Sequence, residues 1–88
     1  MTADTICVVG LGYIGLPTAT VLAGKGCRVM GLDVNAQVVD TVNRGEVHIV
    51  EPDLDAALRR AVRSGRLHAT TTPPEADVFV IAVPTPFK

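Results

Sequence analysis

Three glycines, Gly10, Gly12 and Gly15, stand in G-x-G-x-x-G spacing within CVVGLGYIGLP (Cys7 to Pro17), and an acid, Asp33, follows 23 residues after Gly10. Each suits one part of a pyrophosphate site. Gly10 permits a tight turn, Gly12 removes a side chain where a phosphate must approach the backbone, and Gly15 lets a helix pack closely on a sheet. Free backbone N–H groups from Gly12 through Tyr13 to Ile14 would face the phosphates. Asp33 would accept hydrogen bonds from the adenosine ribose, and its charge would repel a 2′-phosphate, which favours NAD over NADP. The spacing alone arises often by chance, so the surrounding elements must decide.

They are the elements the motif needs. Thr5 to Val9 is a continuous apolar, β-branched run bounded by Gly10 and reads as a strand buried on both faces. A small-residue helix follows over Ile14 to Lys25, with Pro17 tolerated in its first turn and Gly24 and Gly26 as the stop. Arg28 to Leu32 is a second strand, ending at Asp33. Asn35 is the expected N-cap of a second helix that turns Val38, Val39 and Val42 inward and closes at Gly45. Glu46 to Val50 reads as a loop. Leu54, Ala57, Leu58, Ala61 and Val62 form one helical stripe, with Pro52 at its first position, Gly65 at its end, and Asp55 and Arg59 as an i,i+4 pair. A short strand over Arg66 to Thr70, a Pro73-Pro74 turn and a fourth strand over Val78 to Val83 complete the chain.

The order β-α-β-α-α-β-β, with apolar strands joined by helices, implies an α/β, Rossmann-like parallel sheet. Right-handed crossovers give strand order 3-2-1-4, the mononucleotide-binding half of a doubly wound fold occupying residues 1–88. An FAD-binding half-fold shares this fingerprint. A short-chain-dehydrogenase turn, with glycines in G-x-x-x-G-x-G spacing, does not fit.

Composition narrows the classes. The 88 residues suit one small domain, and 48% hydrophobic content suits a packed core. A net charge of −1 offers no basic footprint for nucleic acid or an anionic membrane. Two cysteines are too few for a disulfide scaffold and fit a reduced, cytosolic setting. No apolar run nears the ~20 residues of a membrane span, and the N-terminus does not resemble a signal peptide. His48 and His68 lack metal-ligand spacing and read as packing residues. Cys7 reads as a buried small hydrophobe and Cys27 as part of a turn. The arginines at 59, 60, 63 and 66 read as a solvated helix end. In VPTPF, Thr85 would sit at the carboxyl end of the fourth strand, where it could offer a hydroxyl to the cofactor. No nucleophile, general base or metal site can be assembled.

The blocks VVGLGYIGLPTA (Val8 to Ala19), GLDVN (Gly31 to Asn35), NRGEVHIVEPDL (Asn43 to Leu54) and VIAVPTPFK (Val80 to Lys88) resemble the N-terminus of the UDP-sugar 6-dehydrogenases, over essentially the whole chain. GEVHIVEPDL and AVPTPFK resemble the UDP-N-acetyl-D-mannosamine branch; UDP-glucose enzymes usually carry a Pro-Ile-x-Glu-Pro-Gly-Leu type segment there. The resemblance implies oxidation of a sugar C6 alcohol to a carboxylate with two NAD per turnover, through a cysteine-bound thiohemiacetal and thioester, for surface-polysaccharide precursors. It places Tyr13 and Ile14 on the pyrophosphate turn, Asp33 on the ribose and Thr85 near the cofactor. The expected setting is a cytoplasmic homo-oligomer with a nucleotide-sugar substrate. The family's catalytic cysteine and sugar-binding domain have no counterpart here, so neither Cys7 nor Cys27 inherits that role. The alternatives are a UDP-glucose enzyme or a nucleotide-binding module without catalysis. Because the fourth strand is as apolar as the first, with nothing following to pair its outer edge, we expect a fragment or a chain that self-associates there.

Overall fold

β-Branched and aliphatic residues concentrate in short runs that form four parallel strands, and the intervening segments form three helices. The computed structural model describes residues 5–49 and 51–82, so Thr85 and the rest of VPTPF lie outside the described residues. The elements are β1 (Thr5–Val9), α1 (Gly15–Gly24), β2 (Arg28–Leu32), α2 (Ala36–Asn43), α3 (Leu54–Arg63), β3 (Leu67–Thr70) and β4 (Val78–Ile81). The sheet order is β3-β2-β1-β4, all parallel, as the crossover rule requires. None of the described helices is long and apolar enough to cross a membrane.

Register explains the core. Ile6, Val8, Val29, Leu67, Ala69 and Val80 share one face of the sheet. Against that face pack Leu16, Ala19 and Ala23 of α1, Val39 and Val42 of α2, and Leu54, Leu58 and Ala61 of α3. All three helices therefore bury their apolar stripes on the same side. The opposite face carries Cys7, Val9, Met30, Leu32, Phe79 and Ile81. No described helix covers it, so β1, expected to be buried on both faces, is fully buried on this one at Cys7 and half-buried at Thr5 and Val9. Central Cys7 is still fully buried, paired in register with Met30 and Phe79, and burial pushes its thiol pKa up. Phe79 is 50% and Ile81 66% exposed. His68, expected as a packing residue, is also exposed.

The two sheet edges differ. On the β3 side, the Asn43 amide takes both backbone groups of Ala69, donating to its carbonyl at 2.9 Å and accepting from its N–H at 2.8 Å. On the β4 side, Asp77 accepts from the Thr5 N–H at 2.8 Å, a bond on the seam with β1 where β4 begins.

Every helix ends the same way. Gly26, Gly45 and Gly65 have φ of 96°, 77° and 79°. Each donates its N–H three residues back, and the following residue donates five residues back, as in Gly45 to Val42 and Glu46 to Thr41. These paired bonds satisfy the last carbonyls at glycines that reach the left-handed region without a Cβ clash. At the starts, Asn35 caps α2 as expected, its Oδ1 accepting from Gln37 at 2.9 Å and Val38 at 3.3 Å. The start of α3 departs from expectation. Pro52 lies in the preceding turn, and Asp53 is the N-cap with φ of 64° and no side-chain capping bond. Asp55 does not pair with Arg59; its Oδ1 accepts from the adjacent Ala56 N–H. Among the described residues the ion pair is Arg44 with Glu46.

Asp53 thus occupies a left-handed backbone conformation that glycine reaches without a Cβ clash. Asp53→Gly should raise stability by about 0.5–1 kcal/mol, read as a higher urea midpoint with an unchanged slope.

Candidate cofactor site at the glycine turn

The turn between β1 and α1 runs over the carboxyl ends of the strands. Gly10 has φ of 96° and donates its N–H to the Leu32 carbonyl at 2.7 Å, so the chain leaves β1 still paired with β2 and then reverses. Leu11 follows, and it is held three ways. Its side chain is fully buried and lies over Gly31, where a Cβ would come within 2.8 Å of a Leu11 methyl. Its N–H donates to Asp33 Oδ2 at 2.9 Å. Its carbonyl accepts from His48 Nε2.

Beyond Leu11 the backbone donors are free. The N–H groups of Gly12, Tyr13, Ile14 and Gly15 find no acceptor among the described residues, whereas the carbonyls of Gly12 and Ile14 accept from Leu16 and Thr18. Four consecutive unpaired donors at a helix N-terminus form an anion site. Gly12, Tyr13 and Ile14 line a cleft of about 440 Å³ with Gly10, Leu11, Asp33 and Ala82. The described residues lining it include no cationic side chain, so what they offer an anion is backbone N–H dipoles.

The glycines separate by what demands them. A Cβ on Gly15 would lie 1.6 Å from the Gly10 carbonyl oxygen, so the fold itself forbids any larger residue. A Cβ on Gly12 would meet nothing within 4 Å. No described atom requires glycine at position 12, and the space beside it is open to a ligand. Tyr13 and Ile14 are exposed beside it.

Asp33 divides this cleft from a second, about 270 Å³, lined by Val9, Gly10, Leu32, Val34, Thr71 and Pro73. Its walls are mainly apolar and suit a flat base. Asp33 also accepts from the Asn35 N–H through Oδ1 at 2.9 Å. Each carboxylate oxygen thus accepts one backbone bond and keeps a lone pair for a ribose hydroxyl.

Gly10, Gly12, Tyr13, Ile14, Gly15 and Asp33 are brought together as expected. Thr85 lies outside the described residues. The sequence reading missed Val34, Thr71 and Pro73. The rule that ligands lie beyond the strands' carboxyl ends could have found them, since they follow β2 and β3. It also misassigned His48, which is exposed and bonds to the turn rather than packing. The arginines at 59, 60, 63 and 66 are exposed as expected, with Arg66 Nη1 donating to the Gly26 carbonyl at 2.8 Å.

Relatives share this arrangement of elements. The model of the UDP-glucose/GDP-mannose dehydrogenase family, NAD binding domain, matches residues 4–88. The UDP-N-acetyl-D-mannosamine dehydrogenase of Escherichia coli (strain K12) is 59% identical over 88 residues, covering 100% of this chain and 21% of that protein. The NDP-N-acetyl-D-galactosaminuronic acid dehydrogenase of Ralstonia nicotianae is 65% identical over 83 residues, 94% of this chain and 20% of its own length. The solved UDP-N-acetyl-mannosamine dehydrogenase Cap5O from S. aureus superposes with TM-score 0.90 at 47% identity, covering 94% of this chain and 20% of that one. The chain therefore spans about a fifth of the length of the relatives it matches.

Two outcomes test the geometry without any ligand. Gly15→Ala should cost at least about 3 kcal/mol of stability, because the α1 start must move off the Gly10 carbonyl. Asp33→Ala should cost about 1–3 kcal/mol, because it orphans the N–H groups of Leu11 and Asn35. Both are read from denaturant midpoints of the unliganded protein.

Proposed function

The chain belongs to the UDP-glucose/GDP-mannose dehydrogenase family, within its NAD-binding domain, and on that premise we propose that it holds the adenosine and pyrophosphate of NAD for a UDP-N-acetyl-D-mannosamine 6-dehydrogenase. The observation that carries the cofactor role is the contrast between Gly15, which the fold demands, and Gly12, which only a close ligand demands. The residues present fit the group. The N–H groups from Gly12 to Gly15 take the pyrophosphate, the Asp33 carboxylate takes the adenosine ribose hydroxyls, and the slot walled by Leu32, Val34 and Pro73 takes the base. When bound, NAD supplies the hydride acceptor for oxidation of the sugar C6 alcohol to a carboxylate, one NAD for each two-electron step. Thr85 is proposed beside it on the strength of the resemblance.

The described residues supply no nucleophile. Cys7 is sealed in the sheet with its thiol pKa pushed up, and Cys27 lies at the far end of the sheet, beyond the C-terminus of α1. Turnover therefore belongs to the longer protein that the relatives' lengths imply, working on a nucleotide sugar as a cytoplasmic homo-oligomer. Mannosamine as the sugar rests on GEVHIVEPDL and on the E. coli relative. The Ralstonia relative favours an N-acetylgalactosamine-type sugar as a second reading. Turnover of the longer protein on the two UDP-sugars separates them; a strong preference for UDP-glucose would overturn both.

For the cofactor, Gly12→Ala should leave the melting temperature of the unliganded protein within about 2 °C while weakening NADH at least about tenfold in calorimetric titration. Undiminished NADH binding by this variant would refute the assignment. NADPH should bind more weakly than NADH to the wild-type protein, and Asp33→Asn should narrow that gap.

A further inference from the structure

His48 is 37 residues from the glycine turn in sequence and belongs to none of the elements that build it. Its loop is nonetheless fixed. Ile49 is buried in the core, Val47 packs against it, and Gly45 and Glu46 close α2 with the paired bonds described above. The alternation of inward Val47 and Ile49 leaves His48 on the other side, with Nε2 on the Leu11 carbonyl. A carbonyl can only accept, so Nε2 carries the proton.

The Leu11 carbonyl and the Gly12 N–H are two ends of one planar peptide unit and point in opposite directions. Holding the first therefore aims the second. Asp33 does the same for the preceding unit through the Leu11 N–H, 2.9 Å away. A hydrogen bond into a carbonyl also polarises the amide and strengthens its N–H as a donor. Because no cation lines the cleft among the described residues, donor aim is what the turn offers a phosphate.

We propose that His48 is a positioning residue for the cofactor: by donating to the Leu11 carbonyl it points the Gly12 N–H at the pyrophosphate. This rests on the NAD reading above. It adds a residue of the α2–α3 loop to the binding machinery of the turn.

The test is calorimetric titration of the whole protein with NADH, together with melting of the unliganded form, for wild type, His48→Ala and His48→Gln. Glutamine keeps an Nε2 donor at similar reach. The expected result is that His48→Ala weakens NADH about tenfold and that His48→Gln restores it to within about threefold, with the unliganded melting temperature of His48→Gln within about 2 °C of wild type and that of His48→Ala lower by about 4–8 °C. A side chain that merely filled space or steadied the fold would not be rescued through its donor. Wild-type affinity in His48→Ala, or equal weakening in both variants, overturns the proposal and leaves the NAD reading intact. Failure of the wild-type protein to bind NADH overturns both. Should His48→Ala not fold, the comparison of His48→Gln with wild type decides alone, and a loss beyond about threefold counts against the proposal.

Discussion

One residue, Leu11, carries the geometry on which the turn depends. Its side chain is locked over Gly31, its N–H is taken by Asp33 and its carbonyl by His48. A glycine-rich turn is entropically costly to order, since glycine loses more backbone freedom on folding than any other residue. Three holds on one non-glycine residue offset that cost at the point where the chain reverses. The Gly12 N–H shares a peptide unit with the Leu11 carbonyl, so its direction follows from that hold. A site built this way is organised before its ligand arrives, so little binding energy goes into arranging donors.

The holds come from separate parts of the chain: Gly31 from β2, Asp33 from just beyond its end, and His48 from the loop after α2. The turn is therefore a junction of the first two β-α units rather than a local motif. Asp33 illustrates the overlap of duties. Its carboxylate ties β2 to the turn and to the start of α2 while keeping lone pairs for a ribose. Substituting it disturbs the structure as well as the proposed recognition, whereas a Cβ on Gly12 meets nothing within 4 Å.

Much of this was legible in the sequence because it rests on local rules. Strand runs bounded by glycine, helix-ending glycines at 26, 45 and 65, and the Asn35 cap follow from short-range stereochemistry, and strand order followed from crossover handedness. The residues that failed are those whose partners are remote. A mid-strand glycine such as Gly31 signals close approach but does not say that Leu11 makes it. His48 offers no local cue to a carbonyl 37 residues away. The Asp55–Arg59 spacing is favourable, yet Asp55 found a nearer N–H. An apolar strand reads the same whether its second face is covered by this chain or left open, so the bare face with Phe79 and Ile81 could not be foreseen.

The bracket that Asn43 places on Ala69 has a consequence for how the sheet can grow. Fibres that extend by strand addition need two receptive edges on every unit, one to accept and one to offer. Here the middle of β3 is already occupied by a side-chain amide. A further strand can pair with the middle of β3 only if the Asn43 amide first lets go of Ala69.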